Sequence, residues 1–184
     1  MSSGSVSSRR ADTRRNHELI LSAAARSLAA SATVSFNAIA KRAGVGVGTV
    51  YRHFPTPEDL ILAVDDHEVA HLVRAVPLLL AEQDPERALR TWIADHLAHY
   101  LMTKRGLAKV LSTSGSELPS AYRPLVEALT SLLDANVAAG NIRSDVAPET
   151  VLRGLGGLSQ LDPDDDWRTP AADLAELLWR GMRA

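Results

Sequence analysis

Apolar residues along this chain recur at spacings of three and four, the repeat of an α-helix, and runs that alternate every second residue are almost absent. Asp12 or Thr13 can cap a first helix reaching about Ala30, with Leu19, Ile20, Ala23, Ala24 and Leu28 at helical spacing. Ser35 can cap a second, short helix through Ala43, with Phe36, Ile39, Ala40 and Ala43 facing inward. Gly44 ends it, because glycine accepts the left-handed conformation of a helix C-terminus. A third helix is predicted from Val47 to His53. Pro55-Thr56-Pro57 breaks it, and Pro57-Glu58-Asp59 opens a fourth, with proline where its missing N–H costs nothing.

The helical pattern continues to the end of the chain. Residues 60–76 are amphipathic, and Pro77 predicts a kink or an end there. Asp84-Pro85-Glu86 has the form of an N-cap and first turn, opening a helix to about Thr103; residues 106–111 form a short segment, and a Ser/Gly-rich loop follows over 112–116. A long helix over about 120–139 stops at Gly140-Asn141, and another starts at Pro148-Glu149 and runs to about Gln160. The acidic turn 162–166 precedes a last helix over 170–183. The fold class implied is all-α, and no internal repeat is visible.

Composition narrows the reading. The chain has 184 residues and 46% apolar content, enough for one or two compact units, and its 23% charged fraction is ordinary. It has no cysteine, which excludes disulfides and thiolate metal sites and suits a reducing cytoplasm. No apolar run approaches the roughly 18 to 20 residues that span a bilayer, so no membrane partner is expected. Residues 1–10 are Ser-rich without an apolar stretch, unlike a secretory signal, and read as a disordered, weakly basic lead-in. The net charge of −2 says little until it is divided. Residues 1–54 hold eight basic side chains (Arg9, Arg10, Arg14, Arg15, Arg26, Lys41, Arg42, Arg52) against Asp12 and Glu18, a balance of +6; the remainder carries −8. A cationic head on an acidic body points to a polyanion at the N-terminal end.

Three short helices with a tight glycine turn between the last two form a helix-turn-helix pattern, in which the second helix enters the major groove and the first crosses the phosphate backbone. The run Ile39-Ala40 … Ala43-Gly44-Val45 … Gly48-Thr49-Val50-Tyr51-Arg52-His53-Phe54 … Glu58-Asp59-Leu60 resembles the DNA-binding domain of the TetR family of repressors, in register over roughly the first 60 residues. The upstream Ile20 … Ala23-Ala24 fits that family's first helix, and the turn Gly140-Asn141-Ile142-Arg143 … Asp145-Val146 is similar in style. The resemblance implies a disordered arm over 1–12, a helix-turn-helix DNA-binding domain over 13–56, and a helical ligand-binding and dimerisation domain over 57–184. Three departures stand out. Gly46 replaces a capping serine, Pro57 replaces a basic residue that meets a phosphate, and Ala29-Ala30-Ser31-Ala32 replaces a glycine that ends the first helix.

Chemistry and resemblance together assign the candidate residues. Gly48 lets the reader helix approach DNA, beside Gly46 at its start, and Thr49 meets a phosphate or a thymine methyl. Tyr51 and His53 donate to phosphates, while Val47 and Arg52 are candidates for base edges. Arg14 and Arg15, with Arg9 and Arg10, clamp the backbone or enter the minor groove, and Ser35 and Asn37 add phosphate contacts. Phe54 reads as core; Tyr51 and Arg52 also have plain readings, as core packing and as a solvated charge.

A reader of seven residues is too small to hold one site in a genome, so pairing into a homodimer on two half-sites is implied. Leu152, Leu155, Leu158, Leu174, Leu177, Leu178 and Met182 offer apolar stripes for that interface, and Gly154, Gly156 and Gly157 permit close approach. An effector cavity among the middle helices would draw on Trp92, His96, His99, Tyr100, Met102 and Tyr122, large aromatics with polar tips that suit a small, mostly apolar molecule. His67/His71 and His96/His99 have metal-compatible spacings but lack converging ligands, so no metal or cofactor is expected. No phosphate-cradling glycine loop, Gly-x-Ser-x-Gly or His-Glu-x-x-His is present, so an enzyme is not expected. The competing reading is a ligand-independent DNA-binding regulator with a filled C-terminal core. In the ligand-responsive one, the effector displaces the fourth helix and spoils the half-site spacing.

Overall fold

The computed structural model describes residues 4–30, 34–112, 121–162 and 165–184. Its helices are α1 (Gly4–Ala30), α2 (Phe36–Ala43), α3 (Val47–His53), α4 (Pro57–Glu82), α5 (Pro85–Thr91), α6 (Ala98–Ser112), α7 (Tyr122–Ala138), α8 (Pro148–Gly154) and α9 (Arg168–Met182). A π-helical turn, Trp92–Leu97, joins α5 to α6, and a 3-10 segment, Leu155–Gln160, follows α8. Among the described residues no strand forms beyond an isolated bridge between Ile142 and Arg183, so the all-α class holds.

Two compact units divide the described residues. The first takes in α1 to α3, α4 as far as His67, and α6 from Gly106. It therefore extends past the division expected at residue 56. Ser35 caps α2 by accepting the Ala38 N–H at 3.4 Å, and Gly44 ends it at φ 69° with its N–H on the Ala40 and Lys41 carbonyls. At the start of α4, Thr56 and Asp59 cap reciprocally. The Asp59 N–H donates to Thr56 Oγ1 at 3.1 Å, and the Thr56 N–H donates to Asp59 Oδ2 at 3.1 Å. Ile20, Ala24 and Leu28 of α1 pack with Ile39 of α2, Val50 of α3, Leu60 and Val64 of α4 and Leu107 of α6.

α1 departs from the expectation at both its start and its face. It begins at Gly4, upstream of Asp12, so residues 4–12, read as a disordered arm, are helical; no proline or interior glycine interrupts the run. Leu19 is exposed, and Leu21 and Ala25 take its place in the core. The expected segment 106–111 is no separate element, because α6 passes through Gly106. A Cβ at Gly106 would lie 2.3 Å from the Leu28 carbonyl oxygen. That glycine thus permits backbone-to-backbone approach of α6 to α1 rather than stopping a helix. Most of the predicted Ser/Gly loop over 112–116 lies outside the described residues.

The second unit contains α4 from Glu68, α5 with the π turn and α6 as far as Arg105, and α7 to α9. Of the kink or end predicted at Pro77, the end does not occur, and α4 continues to Glu82. Proline removes one hydrogen bond to the residue four earlier; that residue, Val73, is exposed like Pro77 itself, so water can satisfy the freed carbonyl. Asp84 caps α5, accepting the Arg87 N–H at 2.9 Å. The wholly buried Asn136 of α7 donates to the Pro85 and Leu132 carbonyls, both at 2.8 Å, tying α7 to α5. Gly140 ends the α7 region at φ 72°, as the sequence predicts. The helix expected over 148–160 divides at Gly154, where three glycines in four residues weaken the α-helix and the chain tightens to 3-10 geometry.

Candidate nucleic-acid interface

α3 has two unlike faces. Val50 and Phe54 are 0% and 3% exposed and belong to the core, whereas Val47 and Tyr51, also four apart, are 38% and 55% exposed. Gly46, Gly48 and Arg52 are exposed too, with Thr49 and His53 half-buried. A seven-residue helix anchored by Val50 and by Phe54 at its C-cap thus presents the rest of its surface outward.

Local contacts orient those side chains. Arg52 Nη2 donates to Thr49 Oγ1 at 3.0 Å, laying the guanidinium along the helix. The Tyr51 ring packs on Phe36 of α2, centroids 4.8 Å apart. His53 meets His17 of α1 edge-on, centroids 5.6 Å apart, and His17 in turn lies 5.1 Å from Phe54. Burial holds the His17 pKa below its usual value; the neighbouring His53 and His67 push the same way, and Glu18 partly opposes them. Gly46 caps α3 with no side-chain hydrogen bond, as the loss of a serine implies. Ser35 and Asn37 are exposed at the start of α2, where backbone N–H groups favour an anion. Arg14 and Arg15 are exposed on α1 one turn from His17. All eleven candidate DNA residues lie in the first unit, and none is buried. His17 was missed because its relation to His53 depends on the packing of α1 against the reader helix's C-terminus.

The residues named for an effector scatter. Trp92 and Tyr100 are wholly buried and their polar tips are engaged: Trp92 Nε1 donates to the Leu72 carbonyl at 3.0 Å, and Lys104 Nζ donates to Tyr100 Oη at 3.0 Å. Met102 is core, Tyr122 is exposed, and His99 lies 3.8 Å from the Glu68 carboxylate. His96 alone of the six borders a hollow of about 230 Å³ lined by α4 residues. The set proposed for pairing is also split. Leu152, Leu155, Leu158 and Met182 are buried within their own chain, Leu174 and Leu178 partly so, and Leu177 is 66% exposed. Leu177, Leu178 and Met182 line a second hollow, about 330 Å³, between α8 and α9. Among the described residues no group of three or more His, Asp or Glu could hold a metal, and no helix is long and apolar enough to cross a membrane.

Residues 84–184, more than half the chain, match the family model described as the C-terminal domain of SbtR-like transcriptional regulators, and residues 20–64 match the model for bacterial regulatory proteins of the tetR family. The chain belongs to the TetR family. It is thus a DNA-binding transcription regulator by family, with the helix-turn-helix in its first unit. Its fold is similar to that of a TetR transcriptional regulator from Streptomyces coelicolor, at 38% identity over 91% of this chain and 98% of the other, with a TM-score of 0.81. A TetR regulatory protein from Mycobacterium vanbaalenii is 31% identical over 95% and 99% of the two chains, with a TM-score of 0.78. No curated protein matches it. The TetR-family match extends well past the 60 residues on which the sequence motif rests.

Proposed function

We propose that this TetR-family chain is a ligand-responsive repressor that binds a palindromic operator as a homodimer in the cytoplasm and releases it when a small, mostly apolar effector is bound. The observation that carries the reading is the division of α3, with Val50 and Phe54 in the core and Val47, Tyr51 and Arg52 outside it. In this proposal α3 lies in the major groove. Val47 and Arg52 face base edges, Thr49, Tyr51 and His53 face phosphates, and Gly46 and Gly48 allow close approach. Ser35 and Asn37 at the α2 N-terminus, with Arg14 and Arg15 of α1, contact the backbone on either side.

Pairing runs through α8 and α9, with the exposed Leu177 and the adjacent hollow as the self-complementary patch. In this mechanism the effector displaces α4, which begins at Pro57, three residues after the reader's last core residue, Phe54, and so spoils the half-site spacing. To turn operator binding fully off, the effector has to favour the non-binding state by about 5 kcal/mol. The experiment that tests the function is a random-oligonucleotide selection with the purified protein. Two-fold symmetric enrichment is expected; enrichment of no sequence refutes the reading.

The second reading, a regulator whose C-terminal unit senses nothing, is favoured by the complete burial and satisfied polar tips of Trp92 and Tyr100. A thermal-shift screen separates the two, since a ligand-blind protein gains no stability from any metabolite.

A further inference from the structure

Resting on the effector reading above, we propose that the groove along α4 binds medium-chain carboxylic acids, carboxylate at the His71–Arg74–His96 end and aliphatic tail along Ala75 and Leu79. The hollow is lined by His71, Arg74, Ala75, Leu78, Leu79 and Glu82, one stripe of α4, and by His96 from the π turn. The eleven helical rises from His71 to Glu82 make that stripe about 16 Å long. Its floor is apolar and buried, Ala75 and Leu79, while Leu78 stands 62% exposed at the rim.

The two ends differ in charge. At one, Arg74 has no ion-pair or hydrogen-bond partner among the described residues, and His71 and His96 lie with ring centroids 5.5 Å apart. Glu82 lies at the other end, where it repels a second anion and so sets one orientation. An unpaired guanidinium beside two imidazoles suits a carboxylate, which accepts hydrogen bonds from both kinds of donor. A volume of about 230 Å³ along a stripe of that length suits a ligand of about ten non-hydrogen atoms such as octanoate.

The π turn supplies a second observation. The Ala98 N–H donates to the carbonyl five residues back, Ile93, and the buried residues pair at the same spacing: Trp92 with Leu97, Ile93 with Ala98. That extra residue per turn leaves His96 half-buried on the groove instead of inside the core, and π turns of this kind concentrate at functional sites. Burial first, and then the charge of His71, lower the His96 pKa, with His99 acting the same way and Asp95 opposing. A carboxylate beside it favours the charged imidazolium, so binding takes up a proton and strengthens as pH falls toward the lowered pKa of His96 in the free protein, against the fixed charges of Arg74 and Glu82.

The test is calorimetric titration of the full chain with hexanoate, octanoate and decanoate, with 1-octanol as the uncharged control. Saturable carboxylate binding is expected, about tenfold or more weaker for 1-octanol and for Arg74→Gln, and weakened also by Leu78→Glu at the exposed rim. His96→Gln is expected to flatten the pH dependence. Absence of saturable carboxylate binding, or wild-type octanoate affinity in both Arg74→Gln and Leu78→Glu, overturns the proposal. Octanoate that binds in this manner without altering operator affinity supports the groove and refutes the effector reading. A different compound that releases operator while no carboxylate binds refutes the groove and supports the effector reading.

Discussion

Gly106→Ala is a sharp test of how the first unit is held together. The added methyl would sit 2.3 Å from the Leu28 carbonyl oxygen and 3.1 Å from its carbon. Real Cβ contacts do not fall under 3.0 Å, so α6 and α1 must separate by at least about 0.7 Å. Backbone lies on both sides, so no side-chain rotation relieves the clash. Overpacking of this kind costs about 1–3 kcal/mol, and the better helix propensity of alanine offsets about 0.8–1 kcal/mol. The net loss is about 1 kcal/mol, which for a chain of this size lowers Tm by roughly 2–4 °C. Gly48→Ala is the matched control: nothing lies within 4 Å of its added Cβ, so propensity alone acts and stability rises by a few tenths of a kcal/mol, about the low end of the glycine effect. Urea denaturation of both variants, followed by circular dichroism, measures the difference. A Gly106→Ala protein as stable as wild type refutes the close approach of α6 to α1.

Four further outcomes follow from the proposed interface. Tyr51→Ala combined with His53→Ala is expected to weaken operator binding in a mobility-shift assay while the sedimentation profile is unchanged; equal affinity removes both residues from the interface. Gly46→Ser restores an N-cap at a position whose φ of −69° and ψ of 144° suit serine, raising stability by a few tenths of a kcal/mol in thermal melts. Leu177→Glu places a charge on the exposed α9 leucine; with pairing through α9 as proposed, it is expected to shift the protein from dimer to monomer in analytical ultracentrifugation, and an unchanged sedimentation profile refutes that pairing. Because His17 and His96 titrate lower folded than unfolded, the unfolded chain binds more protons as pH falls below 6.5, so stability present above that pH declines through it; His17→Phe should flatten part of that slope in pH-dependent melts.

The helix-turn-helix of the first unit was legible because its determinants are local. Ser35, Gly44 and Pro57 act on the residues beside them, and the packing face of α2 and α3 follows from three- and four-residue spacing. The middle of the chain was less legible. Pro77 reads as a kink or a stop in any local rule, yet α4 continues because Val73 and Pro77 face outward, and solvent exposure is a property of the fold. For the same reason the His71–Glu82 stripe was cut in two and went unseen as one groove wall.

By itself the sequence determined the helix-turn-helix, its caps and the cationic head, since hydrogen bonding within a few residues and charge composition require no partner element. Tertiary structure alone decided that Gly106 would serve contact rather than termination, that residues 92–97 would take the π repeat, and that Trp92 and Tyr100 would fill core while His96 remained beside α4. Each of those outcomes depends on which distant side chains compete for the same interior volume, and a repeat read along one strand of sequence carries no term for that competition.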